Sequence, residues 1–304
     1  MIRFGPAGWS YPDSRGHVYP ADAPSKFDAL GYLARFFDTI EINASFYAPQ
    51  AARTSDSWVR RVRPFEQFRF TAKIWQRFTH GPAPMGKVAV PDAAVFEPWT
   101  ADDVRLVTEG MQPLRDAGRL GALLAQFPWS FRPGRQATER LERLAEDFRG
   151  WPVVVELRHG AWATRETSLL LKRLGLGFCN IDQPEIGESL GPSAGATSPV
   201  GYVRFHGRNY ATWFQEREER DVSQRYDYLY AAAELEPWAE RILKVAQIAD
   251  VRDVYVVANN HFEGKGPANA LMLKSMIERR SVPAPAQLFE TYRQQLANWA
   301  HPEQ

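Results

Sequence analysis

Residues 201–207 read GYVRFHG, and the alternation within that stretch decides the fold. Successive side chains of a strand point to opposite faces, so Val203 and Phe205 share one face while Arg204 and His206 share the other. One face is apolar and suited to packing. The other is charged and lies towards the end of the strand. The same order recurs elsewhere. In 39–46, Ile40 and Ile42 oppose Glu41, Asn43 and Ser45; in 153–158, Val155 and Leu157 oppose Glu156 and Arg158. In 176–182, Cys179 and Ile181 are set against Asn180 and Asp182, and in 68–74 Thr71 and Lys73 share a parity.

These five runs belong to a set of eight strand candidates, at 2–9, 39–46, 68–74, 121–127, 153–158, 176–182, 201–206 and 254–259. Helical spacing of apolar residues fills the gaps, which is the pattern of βα units around a parallel sheet. Phe27, Leu30, Leu33, Phe36 and Phe37 repeat behind a Ser25 cap, and 138–148 carries Leu141, Leu144 and Phe148 on one face. Thr164 caps a helix closed by Gly175, Pro237 stands in the first turn of one running to Ile248, and 268–277 forms another. Eight such units in 304 residues predict an α/β fold, a (β/α)8 TIM barrel formed as one domain over 1–304. A doubly wound open sheet is second choice, because GPAGWSYP after the first strand is no dinucleotide fingerprint. The Pro-rich stretches 81–98 and 187–199 read as long βα loops, and 284–300 as a C-terminal covering helix.

Bulk composition narrows the function classes. With 37 basic and 36 acidic residues the net charge is +1, so nucleic acid is only a secondary partner expectation. The single cysteine, Cys179, excludes an internal disulfide and a thiolate zinc cluster; by parity it faces the helices and is rejected as a nucleophile. No apolar run reaches the roughly 18 residues that span a bilayer, and MIRFGPAGWSYP lacks a signal-peptide core. A cytoplasmic location and no membrane partner are expected.

The polar strand ends gather at the C-terminal mouth, where barrel enzymes place their chemistry. Buried charges there must pair, meet solvent or bind a charged ligand. Glu41 and Glu156 are the expected acid–base pair, with His206 as proton shuttle. Lys73 reads as a catalytic amine or anion clamp; a Schiff base is disfavoured because nearby carboxylates would keep the amine charged. Asn43, Arg158, Arg204, Asp182 and Asn259 are expected to hold substrate, with Trp9, Tyr11, His80 and His159 beside them. Phe46, Tyr47, Trp75 and Trp162 flank the same mouth, as stacking platforms or plain packing. The loops carrying Gly207 and Arg208, and Gly264, Lys265 and Gly266, are the expected anion site, since glycines let backbone N–H groups approach an anion. No cofactor is expected. A divalent metal on Glu41, Glu156, Asp182 and His206 is a lesser expectation, given the surrounding cations. The charged run 216–221 reads as a solvated lid or loop.

Eight motifs in order, GWSYPDSRGHVYP, EINASFY, TAK, FTH, QFPWSF, ELRHGAW, YVRFHG and ANNHFEGKGPANAL, resemble the YecE-like family over nearly the whole chain. Ser14, Trp129 and Gly160 depart from residues usual there, and His261 stands where Asp is common. The resemblance implies a (β/α)8 barrel and leaves the activity open; endonuclease IV and the sugar isomerases are likened to it by fold alone. The residues themselves favour an enzyme using acid–base chemistry on a small polar or anionic substrate, phosphate- or sugar-like. A metal-dependent phosphodiester hydrolase and a non-catalytic ligand-binding or sensor protein are the alternatives.

Overall fold

β-branched and aromatic runs bounded by turn residues pair side by side, each strand reaching its neighbour through a crossover too long for a hairpin. The computed structural model describes residues 1–81, 98–210 and 226–303. The eight strands of its main sheet are β1 (Ile2–Pro6), β2 (Thr39–Ile42), β3 (Arg69–Lys73), β4 (Leu120–Gln126), β5 (Val153–Glu156), β6 (Gly177–Asp182), β7 (Val200–Phe205) and β8 (Asp253–Ala258). All pair in parallel in the order β1-β8-β7-β6-β5-β4-β3-β2. The ring closes where β1 meets β2: Asp38 N–H donates to Phe4 O at 3.1 Å, and Gly8 N–H to Glu41 O at 2.8 Å. Gly5 permits that approach, since a Cβ there would lie 1.7 Å from Thr39 O. The protein is therefore a (β/α)8 TIM barrel.

The helices are α1 (Ala29–Leu33), α2 (Ala44–Tyr47), α3 (Ala52–Arg61), α4 (Ala101–Asp116), α5 (Arg135–Asp147), α6 (Arg165–Leu174), α7 (Ala232–Ala246), α8 (Lys265–Glu278), α9 (Ala286–Thr291) and α10 (Arg293–Leu296). Thr164 accepts from Thr167 N–H at 3.1 Å, and Gly175 closes α6 at φ +69°, as the sequence predicts. Other ends differ. The cap of α1 is Asp28, which accepts from Gly31 N–H, and not Ser25. Pro237 lies inside α7 rather than in its first turn. The single helix expected over 284–300 is replaced by α9 and α10, flanked by the paired strands β9 (Val282–Pro285) and β10 (Ala300–Glu303). Proline at 283 and 285 favours extended chain there. This tail still covers one end: Gln287 and Thr291 donate to the carbonyls of Gly16 and His17.

Alternation sorts two cores. Ile40, Phe70, Leu123, Val155 and Phe205 pack outward on the helices, while Ala122, Leu124, Val154, Tyr202 and Val257 fill the barrel interior. In β6 the expected parity is reversed. Cys179 and Ile181 belong to the interior core, and Asn180 and Asp182 point to the helix side. Among the described residues no helix is long and apolar enough to cross a membrane. The loop expected over 81–98 lies mostly outside the described residues, and the charged run 216–221 lies wholly outside them.

Candidate active site

Inward positions above the apolar floor carry charge, and because they are shut off from water they bind one another. Arg204 on β7 is the centre. Its Nη2 donates to Glu41 Oε1 at 2.7 Å and its Nη1 to Glu156 Oε2 at 2.5 Å and Gln126 Oε1 at 3.0 Å. The second oxygen of Glu41 accepts from the Tyr202 hydroxyl at 2.9 Å, and Oε1 of Glu156 from Arg158 Nε at 2.8 Å. Glu41, Glu156 and Arg204 are fully buried. Burial works against charge on Glu156, yet Arg204 and Arg158 hold its carboxyl well below the usual range. Glu156 and Glu41 in turn raise Arg204 well above its ordinary value, overcoming the burial that opposes its charge.

His206 closes the network. Its Nε2 lies 3.1 Å from Glu156 Oε1, and Asn259 Nδ2 lies 3.1 Å from its Nδ1. Burial lowers the imidazole to about 3, with Glu156 opposing and Arg158 and Arg204 adding to it. A neutral ring that donates from Nε2 to the carboxylate and accepts from Asn259 at Nδ1 satisfies both contacts.

Lys73, at the end of β3, differs from these cations. Ser45 Oγ donates to its backbone carbonyl at 2.7 Å, rooting the lysine beside the network. Its Nζ stands 5.4 Å from the centre of the Phe46 ring and has no hydrogen bond or ion pair among the described residues. Burial and the charge of Arg204 bring the amine down to about 7, against the weaker pull of Glu41 and Glu156. The carboxylates expected to keep it charged are spent on Arg204 and Arg158.

Beside Lys73, Asn43 Nδ2 donates to the Tyr11 hydroxyl at 2.8 Å, and Tyr11 donates to Ala7 O at 3.0 Å. The Tyr11 ring lies flat on His261, centroids 4.0 Å apart. Burial, with Lys73 adding to it and Asp13 opposing, lowers His261 to about 4. The buried atoms Asn43 Oδ1 and His261 Nδ1 have no hydrogen-bond partner among the described residues.

Residues 3–290 match the family described as "Protein of unknown function DUF72". The chain belongs to the DUF72 family. The YecE-like resemblance read from the motifs is to this family. A curated relative, UPF0759 protein YunF of Bacillus subtilis (strain 168), is 29% identical over 298 residues, 95% of this chain and 99% of that protein. The crystal structure of a DUF72 family protein from Thermotoga maritima MSB8 matches with a TM-score of 0.76 and 32% identity, over 91% of this chain and 99% of that one. Another, from Enterococcus faecalis V583, matches with a TM-score of 0.75 and 23% identity, over 91% and 96%; it supports the fold alone.

In this DUF72 barrel, Glu41, Asn43, Lys73, Glu156, Arg158, Arg204, His206 and Asn259 come together at the mouth, with Tyr11 beside them. Asp182 does not. On the outer side of β6 it accepts from Arg208 Nε and Nη2, the Tyr230 hydroxyl and Trp238 Nε1, at 2.5 to 2.9 Å. Four donors from α7 and the connection that precedes it satisfy the carboxylate there, so it has no need of the lumen. Trp9 packs edge-on against Trp58 at 5.5 Å, in the outer core and not over the lumen. Trp75 and Trp162 are likewise core residues. His159 caps a short turn, its Nδ1 accepting from Ala161 N–H at 3.1 Å, with Nε2 against Glu188. His80 packs edge-on against Phe46, ring centroids 5.2 Å apart.

The two loops of the expected anion site are neighbours in the DUF72 fold, but their cations are engaged. Arg208 holds Asp182 and Glu234, and Lys265 holds Asp227 and Glu263. Their glycines serve packing: Gly207 and Gly264 have φ near +85°, and a Cβ on Gly264 would come within 2.6 Å of Val18. Among the described residues no three His, Cys, Asp or Glu side chains group as a metal site. With Asp182 turned outward and both glutamates on Arg204, the donors named for a divalent ion do not converge. Tyr202 and Gln126 complete the Glu41 and Arg204 partners without having been singled out in the sequence; the alternation that places Arg204 inward places both of them there too.

Proposed function

We propose that this protein is an enzyme performing acid–base chemistry on a small, polar, anionic substrate at the C-terminal mouth, with Lys73 as the group that gains and loses the proton. The observation that carries this is the amine of Lys73, a cation site without a carboxylate partner among the described residues, next to a network whose carboxylates are paired with arginines. Arg158 and Arg204 balance Glu41 and Glu156, and His206 is neutral. Protonated Lys73 therefore adds one uncompensated positive charge, which an anionic substrate neutralises. An amine that titrates near 7 is matched to proton transfer at neutral pH. Glu41 and Glu156 serve in this scheme to fix Arg204, and Asn43 and Asn259 to orient substrate and His206.

Competitive acetylation with acetic anhydride across pH, read by peptide mass spectrometry, gives a titration midpoint for each lysine. Lys73 is expected near 7, and inorganic phosphate is expected to slow its labelling. A midpoint above 9 overturns the proposal. So does turnover, found in a screen of sugar phosphates and hydroxy acids, that survives in Lys73→Met.

A further inference from the structure

Resting on the role proposed for Lys73 above, we infer that the substrate is a hydroxylated carbonyl compound carrying an anionic group, held by Lys73 as a Schiff base. An amine can attack a carbonyl only through a free electron pair, so a nucleophilic lysine must be kept from permanent protonation. In most polar sites a neighbouring carboxylate prevents this. Here both carboxylates within the mouth are turned into Arg204 and Arg158, at 2.5 to 2.8 Å, and neither forms an ion pair with Lys73. Among the described residues Arg204, from β7, and Arg158, just after β5, also act on the amine; His261, the neutral His206, Tyr11 and His80 are the other titratable side chains named at this mouth, and none of these supplies a negative charge. The Ser45 bond to its carbonyl anchors the backbone at Lys73, and the Phe46 ring gives the amine an apolar wall. Burial and Arg204 together bring it to about 7.

The neighbouring atoms describe the rest of the ligand. Asn43 Oδ1 and His261 Nδ1 are buried and lack partners among the described residues, and Tyr11 ties the two side chains together. An unpartnered buried acceptor is costly, and hydroxyls flanking a carbonyl supply the missing donors. The phosphate or carboxylate of the same molecule answers the positive charge that returns when the imine is protonated.

The step balances without any further reactant. The Nζ pair attacks the carbonyl carbon, the C=O π pair moves to oxygen, and proton transfer gives the carbinolamine. Loss of water then forms the C=N bond, the departing oxygen carrying away the two amine protons. Taking one proton from solvent, the imine becomes an iminium that withdraws electrons from the adjacent carbon.

Trapping tests this. Wild-type protein is incubated at pH 7 with glyceraldehyde 3-phosphate or glyoxylate and sodium cyanoborohydride, then digested and mapped. Reduced adduct is expected at Lys73 at least tenfold faster than at exposed Lys172 and Lys244, to be slowed by inorganic phosphate, and to be absent from folded Lys73→Arg. Asn43→Ala, which leaves the amine in place, is expected to slow trapping of the hydroxylated aldehyde several-fold more than trapping of glyoxylate. Labelling of Lys73 no faster than of Lys172 and Lys244 overturns the inference. If Lys73 still acetylates with a midpoint near 7 in that case, the Schiff base alone fails; if its midpoint exceeds 9, the acid–base role fails with it.

Discussion

Arg204 Nη2 lies 2.7 Å from Glu41 Oε1, joining β7 to β2 across the barrel between residues 163 positions apart. Both groups are fully buried, so removing one charge strands the other away from water. Glu41→Gln is expected to destabilise the fold by about 3–5 kcal/mol, and Glu156→Gln, which frees two arginines, by at least as much. Urea unfolding at pH 7 measures both. A loss under about 1 kcal/mol in each would mean that the network is open to solvent.

Lys73 should act in the opposite sense. Its folded value is lowered from 10.5 to about 7, so the unfolded chain binds the proton more readily between those values. The penalty is complete below pH 7, shrinks as pH rises and is gone above 10.5. Lys73→Met is therefore expected to be more stable than wild type at pH 6 by roughly 2–4 kcal/mol, one pKa unit being about 1.4 kcal/mol, with the advantage fading by pH 10. Denaturation at the two pH values checks this.

His206 sets part of the acid limit. Its folded value of about 3 lies below the ordinary 6.5, so its contribution to stability is present above 6.5 and is lost as pH falls towards 3. The ring resonances of His206 are expected to stay constant from pH 8 to pH 4.5. A midpoint near 6.5 in the folded protein would contradict the neutral ring.

Asp182 offers a test of side-chain direction. Asp182→Asn should cost about 3 kcal/mol, because Arg208 loses its buried partner. The acetylation midpoint of Lys73 should not move. A shift in that midpoint would place the Asp182 carboxylate in the lumen.

Cys179 lies inside the barrel, and burial raises its thiol well above the ordinary value. Ellman's reagent is expected to leave it unmodified in native protein and to titrate one thiol in denaturant. Rapid reaction in the native state would require an opening of the barrel.

The eight strands were legible because each short β-rich run is bounded by turn residues and separated from the next by helical spacing. Inward parity was legible wherever apolar outward residues opposed charges, as at Glu41, Glu156 and Arg204. It failed in β6, since a strand with polar residues on one parity can turn that parity outward when partners wait there. On this strand the inward positions are apolar even beside the charged ones, Cys179 standing opposite Tyr202 and Ile181 opposite Arg204, while Asn180 and Asp182 find partners on the other side. Those partners, Gly195, Arg208, Tyr230 and Trp238, are remote from β6 in sequence, and local alternation carries no trace of them. Lys73 shows the same limit. Its position could be read, but its near-neutral amine depends on which cations claim the two glutamates, and that is fixed only by three-dimensional pairing.

The pairing of the first barrel strand with the last sets a timetable for biosynthesis. β1 pairs with β8, the last strand of the barrel, through Ile2–Val254 to Pro6–Ala258, so a nascent chain emerging from the ribosome carries an open edge on its first strand until some 250 residues have followed. Glu41 is in place early, but its counter-ion Arg204 arrives much later. A truncated product ending before β7 holds carboxylates without their cation and strands without their hoop. Such fragments should be poor at folding, attractive to chaperones, and unable to expose a reactive amine before the ring that governs it has closed.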